Sequence, residues 1–467
     1  MDHSDFTKWS HRATAWGQEY LDTIRARPVR AQVKPGDVIE KLPDQAPEEP
    51  EDMEQIFADF EAIVPDAMTH WQHPRFFAYF PTNATTPVLV AEQLASVMTA
   101  QCMLWQTSPA ATEMEQVVIG WLRDALGLPA RFTGTLQDTA TTATFSAVLT
   151  MRERALDWQG LTAGLNGTNP LRIYASAQTH SSVDKAVRLA GIGQDNLVKV
   201  ATDADYSMQP EALRDAIKAD LAAGFRPAGV VLCVGGTSIG AADNIAGCLA
   251  VAREFDLYTH VDAAWAGSAM LCPEFRWLWE GVEAADSIVL NPYKWLGAMS
   301  DCSVQFLADP TPQVRTLGLR PAYLETMGTE EITNFNEWSI PLGRRFRALK
   351  LWFLIRAYGL SGLRRRIRDH VAWVGELAEA FRADAAFSIS TEPRLALFTF
   401  QYAPKGRDAD ALTAALLALA NDDGRIYLTQ TLHDDRFVIR MTAGHFDCTR
   451  EDVMSVYPIL KELAAQL

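Results

Sequence analysis

The hydrophobic and polar positions along the chain divide it into three parts. In the first part, apolar residues recur at helical spacing over 6–26 and 51–70, and a proline-rich acidic stretch at 35–51 lies between them. This pattern predicts two amphipathic helices joined by an extended linker. Such an arm has little core of its own.

In the second part, between residues 84 and 348, short apolar runs such as 229–234 alternate with helical runs such as 244–255. This alternation is typical of a mainly parallel sheet with helices on both faces, which is an α/β fold. The third part begins with a long helical region. Strand-like runs then follow, which predict a small α+β domain, at 395–402, 425–429 and 436–442.

The predicted organisation is therefore an amino-terminal helical arm, a large domain and a small carboxy-terminal domain, at 1–83, 84–348 and 349–467. The chain of 467 residues is above the size at which chains usually divide into more than one domain.

The charge and cysteine content exclude several classes of function. The formal net charge of −16 argues against binding to nucleic acid or to an anionic membrane surface. Basic pairs such as Arg344-Arg345 are expected on solvated faces or beside carboxylates. No apolar stretch is long enough to span a membrane, and the amino terminus lacks the pattern of a secretion signal. Six scattered cysteines without a Cys-x-x-Cys pair favour neither a disulfide framework nor a metal site, so a cytoplasmic location is expected.

Two apolar runs end in residues that suit cofactor chemistry. The segment 287–296 places Lys294 among bulky apolar neighbours, which favour the neutral amine that can attack a carbonyl. The segment 257–267 ends its apolar run at Asp262. Ligands of parallel sheets bind beyond the carboxyl ends of strands, so both side chains can face one crevice. Pyridoxal phosphate (PLP) needs a lysine for its aldehyde and a carboxylate for its pyridine nitrogen. Alternatively, Lys294 lies on the surface and Asp262 caps a turn.

Two further turns add candidates for the same site. His180 follows a predicted strand that ends near Ser176 and precedes a helix, so it can stack on a planar cofactor, act as an acid or base, or be an ordinary loop histidine. The threonine-rich turn 137–144 precedes the helical run 145–156. Hydroxyls and free N–H groups at a helix start suit a phosphate, although such a turn can also be only a cap.

These segments together resemble the group II PLP-dependent decarboxylases, and within them the bacterial aromatic-L-amino-acid decarboxylases. The resemblance covers essentially the whole chain. The family implies the PLP-dependent transferase fold type I and a homodimer in which the amino-terminal arm packs on the partner subunit. The matching segments are 69–71, 73–82, 108–113, 137–144, 180–183, 236–238, 260–269, 291–295 and 340–347.

The resemblance also implies residue roles. Lys294 would bind PLP as an imine, Asp262 would pair with its pyridine nitrogen, and His180 would stack on its ring; these three are the catalytic candidates. The other cofactor-binding candidates are Ala264 on the second face of the ring, Thr237 near its 3-hydroxyl, and Ala140, Thr141, Asn291 and Tyr293 at the phosphate. The substrate-binding candidates are Trp71, Tyr79, Phe80, Pro81, Thr82, Gln101, Met103 and Phe335.

Three positions depart from the family pattern. Tyr293 stands where histidine is usual, and Gln101 stands where the aromatic-acid enzymes tend to be apolar. Phe335 replaces a loop tyrosine that protonates the substrate carbon after carbon dioxide leaves, so His180 or Tyr323 is expected to supply that proton. The segment 316–338 is predicted to form a lid.

The expected reaction is decarboxylation of an aromatic L-amino acid to the amine and carbon dioxide. One alternative is an oxygen-consuming decarboxylation and deamination to the aldehyde, which accompanies phenylalanine at the position of Phe335 in plant and insect relatives. Another is decarboxylation of a non-aromatic amino acid. Two other classes stay open, namely a different PLP enzyme such as an aminotransferase, and a non-catalytic binding protein on the same fold.

Overall fold

The structure, a computed structural model, describes residues 3–319 and 332–467. Within these residues the chain forms two compact units. Of the described residues, unit 1 comprises those within 1–81, 373–392 and 399–467. Unit 2 comprises those within 82–372 and 393–398. The three domains predicted from the sequence stay a prediction.

The helices and strands follow in chain order. The α-helices of the described residues are α1 (Phe6–Thr23), α2 (Met53–Ile63), α3 (Thr86–Met98), α4 (Pro109–Leu126), α5 (Ala140–Ala155), α6 (Gly160–Ala163), α7 (Ser182–Leu189), α8 (Pro210–Ala222), α9 (Ile245–Glu254), α10 (Thr311–Leu317), α11 (Ala348–Arg382), α12 (Ala409–Asp423), α13 (Arg450–Met454) and α14 (Val456–Ala464). The strands of the same residues are β1 (Thr133–Gln137), β2 (Leu171–Ser176), β3 (Leu197–Val200), β4 (Arg226–Cys233), β5 (Tyr258–Asp262), β6 (Ser287–Leu290), β7 (Ser303–Leu307), β8 (Phe387–Arg394), β9 (Leu397–Tyr402), β10 (Thr429–His433) and β11 (Arg436–Thr442).

Unit 2 is built on a seven-stranded sheet of order β1-β7-β6-β5-β4-β2-β3 in the described part of the chain. Strands β3, β2, β4, β5 and β6 run parallel, while β7 is antiparallel to both β6 and β1. Strand β1 therefore points the same way as the parallel strands. The mainly parallel sheet predicted from the alternating pattern is confirmed.

Helix α5 packs against the sheet and places its first turn at the sheet edge. Its buried residues Ala147, Val148 and Met151 belong to one apolar cluster with residues of β2 and β4. The helix begins at Ala140, earlier than the predicted helical run, because the Thr139 hydroxyl oxygen accepts the N–H of Thr142. This N-cap ends the preceding turn and exposes the first N–H groups of the helix.

Unit 1 contains helices α1 and α2 and most of a four-stranded sheet of order β10-β11-β9-β8 in the described residues. The predicted helix over 51–70 ends at Ile63, since Pro65 opens a short 3-10 helix. The predicted strand at 425–429 is wrong, because the Asn421 side chain bonds both the N–H and the C=O of Leu428, and the strand starts at Thr429.

The basic pair Arg344-Arg345 lies beside carboxylates, as expected: Arg344 contacts Glu115 and Arg345 contacts Glu92. No helix within the described ranges combines the length and the apolar character needed to cross a membrane.

Candidate active site

The candidate site lies at one edge of the unit 2 sheet, where parallel strands end side by side. Cys233, the last residue of β4, is in register with Asp262 of β5, and Asp262 is in register with Val289 of β6. The segments that follow these strands therefore meet at one edge, which is where the ligands of parallel sheets bind. Because these strand ends lie side by side, the segments that carry Asp262 and Lys294 can face one crevice.

A cavity of about 150 Å³ opens at this edge. All nine residues predicted to bind the cofactor line it. Four lining residues were not predicted, although the same rule of strand ends points to the turn after β4. The full lining is Ala140, Thr141, His180, Cys233, Gly235, Gly236, Thr237, Asp262, Ala264, Trp265, Asn291, Tyr293 and Lys294.

Asp262 supplies a nearly buried carboxylate, with 6% of the residue exposed. One of its oxygens accepts the N–H of Ala264 at 3.0 Å, and its backbone C=O accepts the N–H of Val234 at 2.9 Å. Two residues earlier, His260 is fully buried between the hydroxyls of Ser287 (2.9 Å) and Thr144 (3.3 Å). Burial lowers the pKa of His260 to about 4. A neutral imidazole therefore lies behind the carboxylate at physiological pH.

Lys294 sits on a backbone that is fixed on several sides. Its N–H donates to the C=O of Asn291 at 3.0 Å, and its own C=O accepts the Asn83 side-chain amide at 2.9 Å. The next residue, Trp295, is buried and donates its ring N–H to His370 at 2.9 Å. The lysine side chain itself is half-buried. These contacts hold the start of the lysine side chain in place.

His180 follows β2 and has a defined proton position. Its Nδ1 accepts the backbone N–H of Ser182 at 3.1 Å, and the Ser182 hydroxyl lies 2.9 Å from the same nitrogen. A nitrogen that accepts carries no proton, so the neutral ring carries its proton on Nε2. His180 is exposed.

Several other lining residues of the cavity supply hydrogen-bond donors. Ala140 and Thr141 form the first turn of α5, whose N–H groups have no partner within the helix and carry the positive end of its dipole. The Asn291 amide donates to the Tyr293 hydroxyl at 2.9 Å. Burial raises the pKa of Tyr293 to about 12, so its phenol stays neutral. An anion is favoured here and a cation near Asp262, which fits the phosphate and the protonated pyridine of PLP.

The substrate candidates fall into both units. In unit 1, Trp71 stacks on Tyr79 with ring centroids 5.7 Å apart, and both residues are exposed. Phe80 and Pro81 are buried in the same unit, where the Phe80 ring lies against Gly444.

In unit 2, Thr82 is half-buried, and Gln101 and Met103 hold the segment that carries Phe335 and Arg344. The Gln101 side-chain oxygen accepts the N–H of Arg344 at 2.6 Å, and the Met103 C=O accepts the N–H of Asn336 at 3.0 Å. Thr82, Gln101, Met103 and Phe335 are not among the residues that line the cavity.

Phe335 is buried, with 2% of the residue exposed. The Arg344 guanidinium lies 4.9 Å from its ring centroid, and the Trp338 ring lies at 5.5 Å. The phenylalanine is thus a packing residue of this segment. Tyr323 and most of the predicted lid lie outside the described residues.

Comparison with known proteins agrees with this geometry. A sequence model of the pyridoxal-dependent decarboxylase conserved domain matches residues 35–403. Tryptophan decarboxylase 2 of Oryza sativa subsp. japonica is 34% identical over all of this chain and 96% of its own length. The 4-hydroxyphenylacetaldehyde synthase of Rhodiola rosea is 35% identical over all of this chain and 96% of its own.

A crystal structure of Oryza sativa TDC with PLP and tryptamine superimposes with a TM-score of 0.96 at 33% identity, covering 100% of this chain and 99% of that one. The fold is therefore the PLP-dependent fold type I, as the sequence predicted, and the cofactor is pyridoxal phosphate. This chain belongs to the pyridoxal-dependent decarboxylase family of PLP-dependent amino-acid decarboxylases.

Proposed function

We propose that this chain decarboxylates an aromatic L-amino acid to the amine and carbon dioxide. The observation that carries the proposal is the cavity itself, where Lys294, the buried carboxylate of Asp262 and the first turn of α5 meet at one sheet edge. When bound, PLP supplies an electron sink for the electron pair that remains as carbon dioxide leaves.

Each of these residues would contribute through its own side-chain group. Lys294 would hold the aldehyde carbon of the cofactor, and Asp262 would hold the proton on its ring nitrogen. The small side chain of Ala264 leaves room for one face of the ring, and His180 would cover the other. Thr237 would hydrogen-bond beside His180. Because the proton of the neutral His180 ring is on Nε2, that atom is the donor that we propose for the substrate carbon.

An aromatic substrate is supported by the relatives and by the aromatic stack of Trp71 and Tyr79 in unit 1. We infer that Trp71, Tyr79, Phe80, Pro81 and Thr82 contact the substrate side chain. The side-chain oxygen of Gln101 accepts the N–H of Arg344. A polar substituent of the substrate would therefore hydrogen-bond to the side-chain N–H groups of Gln101.

The second candidate is conversion of the same amino acid to the aldehyde, with consumption of oxygen. Two observations favour it: Phe335 has no proton to donate, and one relative is a 4-hydroxyphenylacetaldehyde synthase. We keep the amine as first choice, because Phe335 is buried against Arg344 and does not line the cavity.

One assay tests both candidates. The purified holoenzyme is incubated with tryptophan, tyrosine, dopa, phenylalanine, glutamate and aspartate, and amine, aldehyde, ammonia and oxygen uptake are measured together. We expect amine from an aromatic substrate without oxygen uptake. Aldehyde with equal amounts of ammonia and consumed oxygen would favour the second candidate. Consumption of only an acidic amino acid would contradict the aromatic assignment.

We also infer a homodimer. Helix α3 buries Val88 and Ala91, yet it exposes apolar side chains on its other faces, with Val97 60% exposed. Exposed apolar side chains grouped on one helix mark a surface that a protein partner normally covers. Val97→Glu should shift the protein to monomer in analytical ultracentrifugation, and a wild-type monomer would contradict the inference. A cytoplasmic location stays a prediction.

A further inference from the structure

A chain of three polar side chains leads from strand β7 into the cavity. The Ser303 hydroxyl oxygen lies 2.6 Å from the Asn291 side-chain oxygen, and the Asn291 side-chain nitrogen lies 2.9 Å from the Tyr293 hydroxyl. Ser303 and Asn291 are both buried. Ser303 does not line the cavity, and neither its position in the sequence nor its residue type points to a role there.

The distances determine which atom donates in each hydrogen bond. A separation of 2.6 Å is within the usual range for O–H···O but is short for N–H···O, so Ser303 faces the oxygen of the Asn291 amide. The second acceptor near the Ser303 hydroxyl is the C=O of Asp138, at 3.4 Å. Since Ser303 has a single hydroxyl proton, it donates that proton to the nearer Asn291 oxygen.

The direction of the second bond follows. With its oxygen held by Ser303, the Asn291 amide presents its nitrogen to Tyr293, and a nitrogen of this kind can only donate. The phenol oxygen accepts that N–H, and its own proton stays available for an acceptor in the cavity. Ala140 and Thr141, at the N-terminus of α5, line the same cavity.

We propose that Ser303 is a positioning residue for the cofactor phosphate: by fixing the Asn291 amide, it makes Tyr293 donate its phenol proton to that phosphate. This inference rests on the proposed function, since it needs PLP in the cavity. It also gives a role to the tyrosine that replaces the histidine usual in the family. Burial keeps the phenol protonated by raising its pKa to about 12.

A phenol and an imidazole differ in their pH dependence. The carboxylates of Asp262, Asp138 and Asp301 and the thiol of Cys302 act electrostatically on Tyr293, and His180 and Lys294 line the same cavity. The phenol donates throughout pH 6 to 9, whereas an imidazole there would gain and lose a proton in that range. Tyr293→His should therefore bind PLP more weakly as the pH rises from 6 to 9, and by a larger factor than wild type does.

The test measures the dissociation constants of PLP and of pyridoxal, which lacks the phosphate, with the apoprotein, by absorbance and equilibrium dialysis. A hydrogen bond to a charged group predicts that Tyr293→Phe weakens PLP binding about tenfold to a hundredfold and changes pyridoxal binding less than threefold. Ser303→Ala should weaken PLP binding about threefold to tenfold. Combined with Tyr293→Phe, it should add less than that factor, because both changes remove one interaction.

Two variants serve as controls. Tyr174→Phe removes a buried phenol that bonds Asp220 at 2.8 Å elsewhere in unit 2, and it should leave PLP binding unchanged. Ser303→Thr keeps the hydroxyl and should bind within threefold of wild type. Equal losses for PLP and pyridoxal, or factors that multiply in the double variant, would overturn the proposal. Failure of wild type to form the visible imine band with PLP would instead overturn the proposed function.

Discussion

The substitution Glu115→Gln tests what holds the segment around Phe335 in place. Glu115 and Arg344 form an ion pair at 2.6 Å, with side chains only 3% and 2% exposed. The same carboxylate oxygen accepts the N–H of Leu136 at 2.8 Å and the hydroxyl of Thr135 at 3.1 Å. The substitution therefore leaves a buried guanidinium, which stacks on Phe335, without its counter-charge.

The magnitude follows from burial. Removing one partner of a buried pair costs about 3 to 5 kcal/mol, because the other charge stays out of water without compensation. Glutamine keeps an oxygen that can accept the N–H of Leu136, and Arg344 keeps the C=O of Leu136 at 2.9 Å and of Cys102 at 3.3 Å. We therefore expect Glu115→Gln to lower the free energy of unfolding by about 3 kcal/mol, the low end of that range.

The assay is urea unfolding of the holoenzyme, followed by circular dichroism and compared at the first transition, since a chain of this size need not unfold in one step. Glu274→Gln is the matched control. Its partner, Arg368, is about half exposed, as is Glu274, and such pairs contribute about 0 to 1 kcal/mol. Glu115→Gln should also increase chymotrypsin cleavage after Phe335. Equal stability of the two variants would refute the reasoning.

Three further predictions concern the cavity. Borohydride should fix PLP on Lys294, and mass spectrometry that finds the reduced adduct on Lys185 or Lys350 would show the assignment to be wrong. Asp262→Asn should keep the fold and some cofactor but lower kcat by about a thousandfold, because a charge interaction of about 4 kcal/mol is lost; near-normal turnover when fully loaded would exclude its role. The pKa of His260 is about 4 in the native state and about 6.5 in the unfolded state. This difference contributes up to about 3 kcal/mol to the free energy of unfolding. That contribution is present above pH 6.5 and is lost as the pH falls towards 4, because the unfolded state then binds a proton that the native state does not. In urea unfolding, the free energy of unfolding should therefore fall less between pH 7 and pH 4.5 for His260→Asn than for wild type.

The sequence predicted the cavity through local features. Asp262 ends a strand, and Lys294 and His180 each follow one, and the apolar run of each strand is visible in the sequence. Parallel strands end at one edge of their sheet. No long-range contact has to be known for this step. The order of the strands then decides which turns are neighbours. In the turn after β4, Thr237 was predicted, whereas Gly235 and Gly236 were not, because a glycine carries no reactive group of its own.

The interactions behind the cavity could not be predicted in the same way. Glu115 and Arg344 are separated by 229 positions, so no spacing rule relates them. Gln137, Gln305 and Gln313 are fully or almost fully buried, whereas glutamine in a sequence usually indicates a solvated position. Strand β8 was not predicted either, because its residues were assigned to the end of the long helical region that precedes the predicted strand at 395–402.

The buried glutamines explain how the sheet edge keeps its geometry. The amides of Gln305 and Gln313 bond each other in both directions, at 2.8 and 3.0 Å, and the oxygen of Gln305 also accepts from Gln137 at 3.0 Å. Gln305 donates to Ser287 at 3.1 Å, and the Ser287 hydroxyl lies 2.9 Å from His260.

These contacts cross β1, β7, β6 and β5 in turn, and those strands or the turns after them carry Ala140, Asn291 and Asp262. A slip of one strand would leave several buried amides without partners, at about 1 to 3 kcal/mol each. The polar interior therefore stabilises one register, and that register sets the separation between the carboxylate and the phosphate donors before any cofactor binds.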